Sequence, residues 1–145
     1  ICYVDLVDME AFREEERTSE EIRKLQSAGV HVIASFHNFD RTPDREELIR
    51  RLTRMQEMGA DVAKIAVMPQ SREDVMTLME ATMEADHSLD IPVVTMSMGR
   101  MGVLSRLAGT LTGSAMTFAS VGEASAPGQI PIEQMRVFCQ LLSMK

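Results

Sequence analysis

The chain has 145 residues, enough for one domain with a real core, and its 45% apolar and 26% charged content is that of an ordinary globular protein. A formal net charge of −7 argues against a nucleic-acid partner or an anionic membrane surface, since either calls for a basic face. It leaves room for a small anionic substrate held by one or two local arginines.

Cys2-Tyr3-Val4-Asp5-Leu6 reads as a first strand, followed by a solvated charged stretch, Arg13-Glu14-Glu15-Glu16-Arg17. Thr18 or Ser19 then caps a helix with Ile22, Leu25 and Ala28 inward and Gly29 as its stop. Val30 to Ser35 is a second strand that ends in a polar-aromatic loop, Phe36-His37-Asn38-Phe39-Asp40. Thr42-Pro43 starts the next helix as cap and first helical residue, with Leu48, Ile49, Leu52 and Met55 on one face and Gly59 closing it. Val62 to Pro69 is a buried strand: a near-continuous apolar run ending at a proline. Ser71-Arg72-Glu73-Asp74 is a cap with an acidic first turn, opening a helix with Val75, Leu78, Met79 and Met83 inward. Ile91 to Met98 is a fourth strand, with Pro92 at its start. A short helix through Val103, Leu104 and Leu107 runs to Gly109, and Ala115 to Ala119 is a fifth strand. After the small-residue loop Ser120 to Gln129, Pro131 begins a last helix with Ile132, Met135, Phe138, Cys139 and Leu142 inward. Strand followed by helix, five times over, implies a single domain built on a parallel sheet with right-handed crossovers. No repeat of the residues themselves, linker or low-complexity segment divides it.

Lys64 stands alone in the middle of the apolar run Val62-Ala63-Lys64-Ile65-Ala66-Val67. Isolated lysines in strands are more often found at an edge, snorkelling or paired with a carboxylate. Taking an ammonium out of water favours the neutral amine, however, and a neutral amine attacks a carbonyl to form a Schiff base. Sites in parallel α/β folds form at the carboxyl ends of the strands. Those ends here carry His37, Lys64 to Pro69, Met96 to Gly99 and the Phe118 to Gln129 loop. His37 becomes a candidate general acid and base. Arg106, in an otherwise small and apolar helix, becomes a candidate fork for a carboxylate. Ser125-Ala126-Pro127-Gly128-Gln129 suits a loop that closes over a polar ligand. His31 and His87 read as structural, and no phosphate loop, serine elbow or zinc cluster is present.

Cys2 and Cys139, without metal spacing and too few for a disulfide framework, read as buried apolar fillers in a reducing compartment. Most of the thirteen methionines read as core fillers. No apolar run reaches bilayer-spanning length and no leader pattern is visible, so the expected location is cytoplasmic, with no membrane partner. The chain opens on Ile1 without an initiator methionine, which is compatible with a start partway into a longer protein.

Lys64 to Ser71, Thr95-Met96-Ser97-Met98, Ser105-Arg106-Leu107-Ala108-Gly109 and Ser125 to Gln129, preceded by Ser35 to Phe39 and Thr42-Pro43, resemble type I 3-dehydroquinate dehydratase of the shikimate pathway. The resemblance extends over essentially the whole chain, with the motifs in family order. It implies a (β/α)8 barrel lyase that removes water from 3-dehydroquinate by syn elimination through a Schiff base. Carried over, Lys64 forms the imine and His37 is the general acid and base. Arg106 binds the substrate carboxylate, Phe118 lines the pocket, Ser125 and Gln129 hold the substrate from the closing loop, and Met96 packs nearby. A cationic iminium is an electron sink that acidifies the neighbouring C–H, so this chemistry needs no metal and no diffusible cofactor.

The resemblance also marks departures. The family barrel has eight strand–helix units, and this chain matches the last five. A glutamate that partners the catalytic histidine belongs to the unmatched part, as do further acidic and arginine site residues. Phe36 stands where the family usually has asparagine, and Val7 where it usually has glutamate in this chain's first strand. A five-stranded piece of a barrel leaves an open edge and an uncovered inner face, so the expectation is a homodimer that completes it. Loss of the histidine's partner leads to expected dehydratase activity that is weak or absent. The alternatives are a non-catalytic dehydratase-like dimer binding a small carboxylate, and another Schiff-base enzyme such as an aldolase.

Overall fold

The computed structural model describes residues 4–143. Four strands, β1 (Leu6–Glu10), β2 (His31–Asn38), β3 (Val62–Val67) and β4 (Val93–Ser97), lie in chain order in one sheet, every neighbouring pair parallel. Helices α1 (Glu15–Ser27), α2 (Arg45–Glu57) and α3 (Arg72–Ser88) make the crossovers, and α4 (Val103–Leu107), α5 (Gly109–Thr112) and α6 (Ile132–Ser143) follow β4.

Side chains alternate between the two faces of each strand. On one face Val32, Ala34, Ala63, Ile65, Val67 and Val93 pack under Ile22, Leu48, Leu52, Met55 and Leu78 from the helices, forming the main core. The opposite face carries a smaller apolar cluster, Ala66, Val94 and Met96, with Val62, Met116 and Phe118 against it. Lys64 alternates onto this second face, between Val62 and Ala66. Ser71 caps α3 through a reciprocal box with Asp74, as its sequence pattern predicts.

Several boundaries differ from the sequence reading, each for a local reason. The first strand is Leu6–Glu10, not Cys2 to Leu6; Cys2 and Tyr3 lie outside the described residues. Val4-Asp5-Leu6 and Val7-Asp8-Met9 repeat one pattern, and the β2 ladder selects the second, from Leu6↔His31 to Glu10↔Ser35. The second strand runs on to Asn38, so His37 stands on a strand rather than in a loop. Pairing of His37 with Ala66 and Asn38 with Val67 carries it there. α1 begins at Glu15, ahead of Thr18 and Ser19, because Arg17 pairs with Glu21 at 2.9 Å one turn on and Glu15 and Glu16 fill its acidic first turn. α2 is capped by Asp44, whose side chain accepts from the Glu47 N–H at 2.8 Å; Thr42 instead donates to the Met68 carbonyl at 3.3 Å.

Ala115 to Ala119 does not form the fifth strand. Ala115 N–H donates to the Val93 carbonyl at 2.8 Å, but Thr95 N–H donates to the Ser114 hydroxyl at 3.0 Å, so a side chain takes the place of the next rung. In α6 only Met135 is buried and Ile132 partly so, while Phe138, Cys139 and Leu142 are exposed, contrary to their inward assignment. The reason is placement: α6 leans on α4, not on the sheet. Met83 is also exposed, at the outer side of α3. Among the described residues no helix is long and apolar enough to cross a membrane.

Candidate active site

The site forms where β2, β3 and β4 end, on the face bearing the smaller apolar cluster. Lys64 Nζ sits on β3, its side chain 9% exposed. His37, on the neighbouring strand and one alternation further along, brings its Nε2 to 3.3 Å from Nζ. The Phe118 ring centroid lies 5.2 Å from the same nitrogen, within cation–π range. Two carboxylates from β1 complete the constellation. Asp8 Oδ2 accepts from Lys64 Nζ at 2.5 Å, and Glu10 Oε2 lies 2.8 Å from His37 Nδ1. Glu10 Oε1 also accepts from the His37 backbone N–H at 3.4 Å, so one carboxylate grips both ring and main chain.

This overturns the expectation that the histidine has lost its partner. Glu10 fills that role from within the chain. The first reading placed that glutamate in the unmatched part and passed over Glu10, because it ended the strand at Leu6 and the ladder carries it on to Glu10. A carboxylate on Nδ1 fixes the ring and leaves Nε2 facing the lysine, the arrangement a proton carrier needs. Asp8 and Glu10 are the site residues that sequence reasoning missed. Their signal was the i, i+2 spacing of two acids in an apolar strand, which puts both on one face.

Arg106 lies on α4 with 2% of its surface exposed. Its Nη2 donates to the Pro127 carbonyl at 3.2 Å and its Nη1 meets Met96 Sδ at 3.6 Å, while Nε has no partner. No carboxylate among the described residues forms an ion pair with it. Burial pushes its guanidinium below the ordinary arginine value. A buried cation with an idle donor is costly unless an anion arrives.

The loop from Ser125 to Gln129 roofs the site. Gln129 Oε1 accepts from the Ser125 N–H at 2.8 Å and its Nε2 donates to the Ser125 hydroxyl at 2.9 Å, so the two residues satisfy each other. Gly99 N–H donates to the Pro127 carbonyl at 3.1 Å, and Gly128, at φ +79°, presses against the Gly99 backbone, where a Cβ would stand 2.3 Å from the Gly99 oxygen. Only glycine fits there.

These pieces enclose a cavity of about 290 Å³ lined by Lys64, His37, Met96, Arg106, Phe118, Ser125 and Gln129 together with Phe39, Met98 and Pro127. All seven residues singled out in the sequence meet in it. A larger and more open depression of about 670 Å³ lies past His37, among Glu10, Phe12, Arg13, Phe36, Phe39 and Arg51. It contains neither Lys64 nor Arg106, which meet in the smaller cavity. His31 pairs with Asp61 and His87 with the Met83 carbonyl, away from the site. Among the described residues no cluster of three or more His, Cys, Asp or Glu could hold a metal ion. Cys139 is exposed rather than buried.

Comparison with known proteins agrees with this geometry. A family model described as type I 3-dehydroquinase matches residues 1–145. The 3-dehydroquinate dehydratase of Listeria welshimeri is 50% identical over 139 residues, 96% of this chain and 55% of the relative. That of Klebsiella pneumoniae is 50% identical over 141 residues, 97% of this chain and 56% of the relative. The crystal structure of 3-dehydroquinate dehydratase from Geobacillus kaustophilus superposes with a TM-score of 0.92 at 46% identity, covering 95% of this chain and 53% of the other. The type I enzyme from Clostridium difficile, solved with covalent modified comenic acid, superposes at 0.91 and 48% identity, covering 96% and 55%. The chain thus spans about half the length of the curated relatives it matches.

Proposed function

The chain belongs to the type I 3-dehydroquinase family, and from that membership we propose that it performs the imine chemistry of a 3-dehydroquinate dehydratase. The observation that carries the reading is the contact between Lys64 Nζ and His37 Nε2 at 3.3 Å, in a cavity whose other wall holds the buried Arg106. Lys64 attacks the substrate ketone, a C–N bond forms and water leaves, giving an iminium. The iminium draws electrons from the adjacent carbon, and His37 removes a proton there. The same imidazole passes a proton to the departing ring hydroxyl, and a second water is lost as the ring C=C forms. Hydrolysis of the imine returns Lys64.

Glu10 holds the His37 ring so that Nε2 serves this exchange. Arg106 takes the substrate carboxylate with its idle Nε and an Nη, in the forked geometry carboxylates favour. Ser125 and Gln129 exchange their mutual hydrogen bonds for the substrate's hydroxyls. Phe118 and Met96 supply the apolar walls. The Clostridium difficile relative was solved with covalent modified comenic acid, which supports a covalent route.

Incubation with 3-dehydroquinate, followed by the ultraviolet absorbance of the conjugated product, tests the reading; Lys64→Ala abolishes the signal. The relatives are about twice as long, so we expect the 145-residue chain alone to turn over below roughly 1 per second, under the ordinary enzyme range. Wild-type absorbance that persists unchanged in Lys64→Ala would contradict the imine route.

We also propose that the chain forms a homodimer. β1 is an edge strand with Leu6 43% exposed, and α6 exposes Val137, Phe138, Leu141 and Leu142. A twofold axis along the strands brings β1 of each copy against the Ser114 to Ala119 segment that lines β4 of the other, and covers both features. Sedimentation at micromolar concentration gives a dimer mass; a monomer mass would rule the arrangement out.

A further inference from the structure

We propose that Asp8 is a catalytic residue for imine formation: it takes the proton from the Lys64 ammonium and later returns it to the departing oxygen. The inference rests on the imine reading of Lys64. Its basis is the position of Asp8 relative to the lysine and the cavity. Asp8 lies across from Ile33, and Ile33 across from Val62, so Asp8 sits level with the residue two before Lys64. His37 lies across from Ala66, level with the residue two after Lys64. The lysine nitrogen is therefore flanked along the strand direction, by Asp8 at 2.5 Å on one side and His37 at 3.3 Å on the other. The cavity is lined by His37 and Lys64, and Asp8 is not among its lining residues. Asp8 can hold a proton without occupying the space of the ligand.

Two proton carriers divide work that a single imidazole would do poorly. His37 is tied to Glu10 through Nδ1, which leaves Nε2, beside Lys64, for the carbon chemistry. Asp8 is bonded to the nitrogen that must lose a proton before it can attack. The step balances internally. Asp8 carboxylate takes one proton from the Lys64 ammonium, and the neutral amine attacks the ketone carbon, forming the C–N bond as the carbonyl π pair moves to oxygen. A second N–H proton passes through His37 Nε2 to that oxygen, giving the carbinolamine. Asp8 returns its proton to the carbinolamine hydroxyl and the C–O bond breaks. Water leaves, and the nitrogen lone pair completes the iminium. Both Asp8 and His37 end as they began.

A passive role makes the opposite prediction. If Asp8 only pins the ammonium, removing its charge frees the amine and hastens attack. The experiment is rapid mixing with 3-dehydroquinate, quenching with borohydride and following the protein adduct by intact mass over time. It compares wild type, Asp8→Asn and Asp8→Glu, with thermal melts confirming that each is folded. The expected result is a fall in adduct rate of about 10²-fold or more in Asp8→Asn, the usual contribution of a positioned general base. The final extent and the affinity for a cyclic carboxylic acid lacking the ketone stay unchanged, and Asp8→Glu recovers part of the rate. An Asp8→Asn rate equal to or above wild type overturns this assignment while leaving the imine reading intact. Absence of any adduct in wild type overturns both.

Discussion

Replacing Arg106 with methionine separates a ligand-binding arginine from a structural one by the sign of two effects. The guanidinium is 2% exposed, pairs with no carboxylate among the described residues and leaves Nε unbonded. What it gains is one hydrogen bond from the charged guanidinium to the Pro127 carbonyl, worth about 1.5–3 kcal/mol, and a sulfur contact with Met96. Against this stands a desolvation penalty on the order of several kcal/mol for an unpaired buried ion. Methionine keeps the apolar stem and removes the charge, so Arg106→Met leaves thermal stability unchanged or raises it. Ligand binding moves the other way. Losing one partner of a desolvated charge pair costs about 2–5 kcal/mol, and each 1.4 kcal/mol is tenfold in affinity, so carboxylate binding falls by roughly 30-fold to several thousand-fold. Thermal melts and calorimetric titration with a cyclic hydroxy acid read the two effects independently. A melting temperature that falls while affinity holds would mean that Arg106 braces α4 against the loop and does not bind the ligand.

Glu10→Ala releases the His37 ring and lowers turnover about 10²-fold, the scale of a general acid–base contribution, with the substrate KM little changed; an unaltered rate would show that His37 needs no anchor. Gly128→Ala places a Cβ 2.3 Å from the Gly99 oxygen at a positive φ, so the loop lifts and KM rises at least tenfold, as product absorbance measures, while the Lys64 adduct still forms. Asp61 gives a pH signature of stability. Burial raises its carboxyl value, but hydrogen bonds from Gln26, the Val32 N–H and His31 outweigh this and hold it below the ordinary aspartate value. Its stabilisation is therefore complete above the unfolded value of about 4 and is lost as pH falls through the lower folded value. Asp61→Asn lowers stability at pH 7 by about 1 kcal/mol and flattens that acid limb in chemical denaturation; a limb of undiminished slope would assign the effect elsewhere.

The parallel α/β order was legible because strands buried on both faces read as continuous apolar runs, and Ser71 with Asp74 spelled out its own cap. The convergence of Lys64, His37, Arg106 and the loop on one cavity followed from the rule that sites gather at strand carboxyl ends. Registers were harder. Val4-Asp5-Leu6 and Val7-Asp8-Met9 offer the same local pattern, and only pairing with β2 decides between them. That choice hid both Asp8 and Glu10, and with them the partner of His37. The segment after Ser114 has strand-like residues, but a serine hydroxyl captures the Thr95 N–H, a side-chain event that no propensity encodes. The exposed face of α6 has helical periodicity, yet periodicity says which residues share a face and not what that face meets.

Imine formation between Lys64 and a ketone acid is read out by borohydride reduction in the presence of 3-dehydroquinate and mass mapping of the modified peptide. One adduct per chain is expected, on Lys64, absent from Lys64→Ala and absent when borohydride is omitted. An adduct on Lys24 or Lys145, or none at all under conditions where the ligand binds, would contradict it.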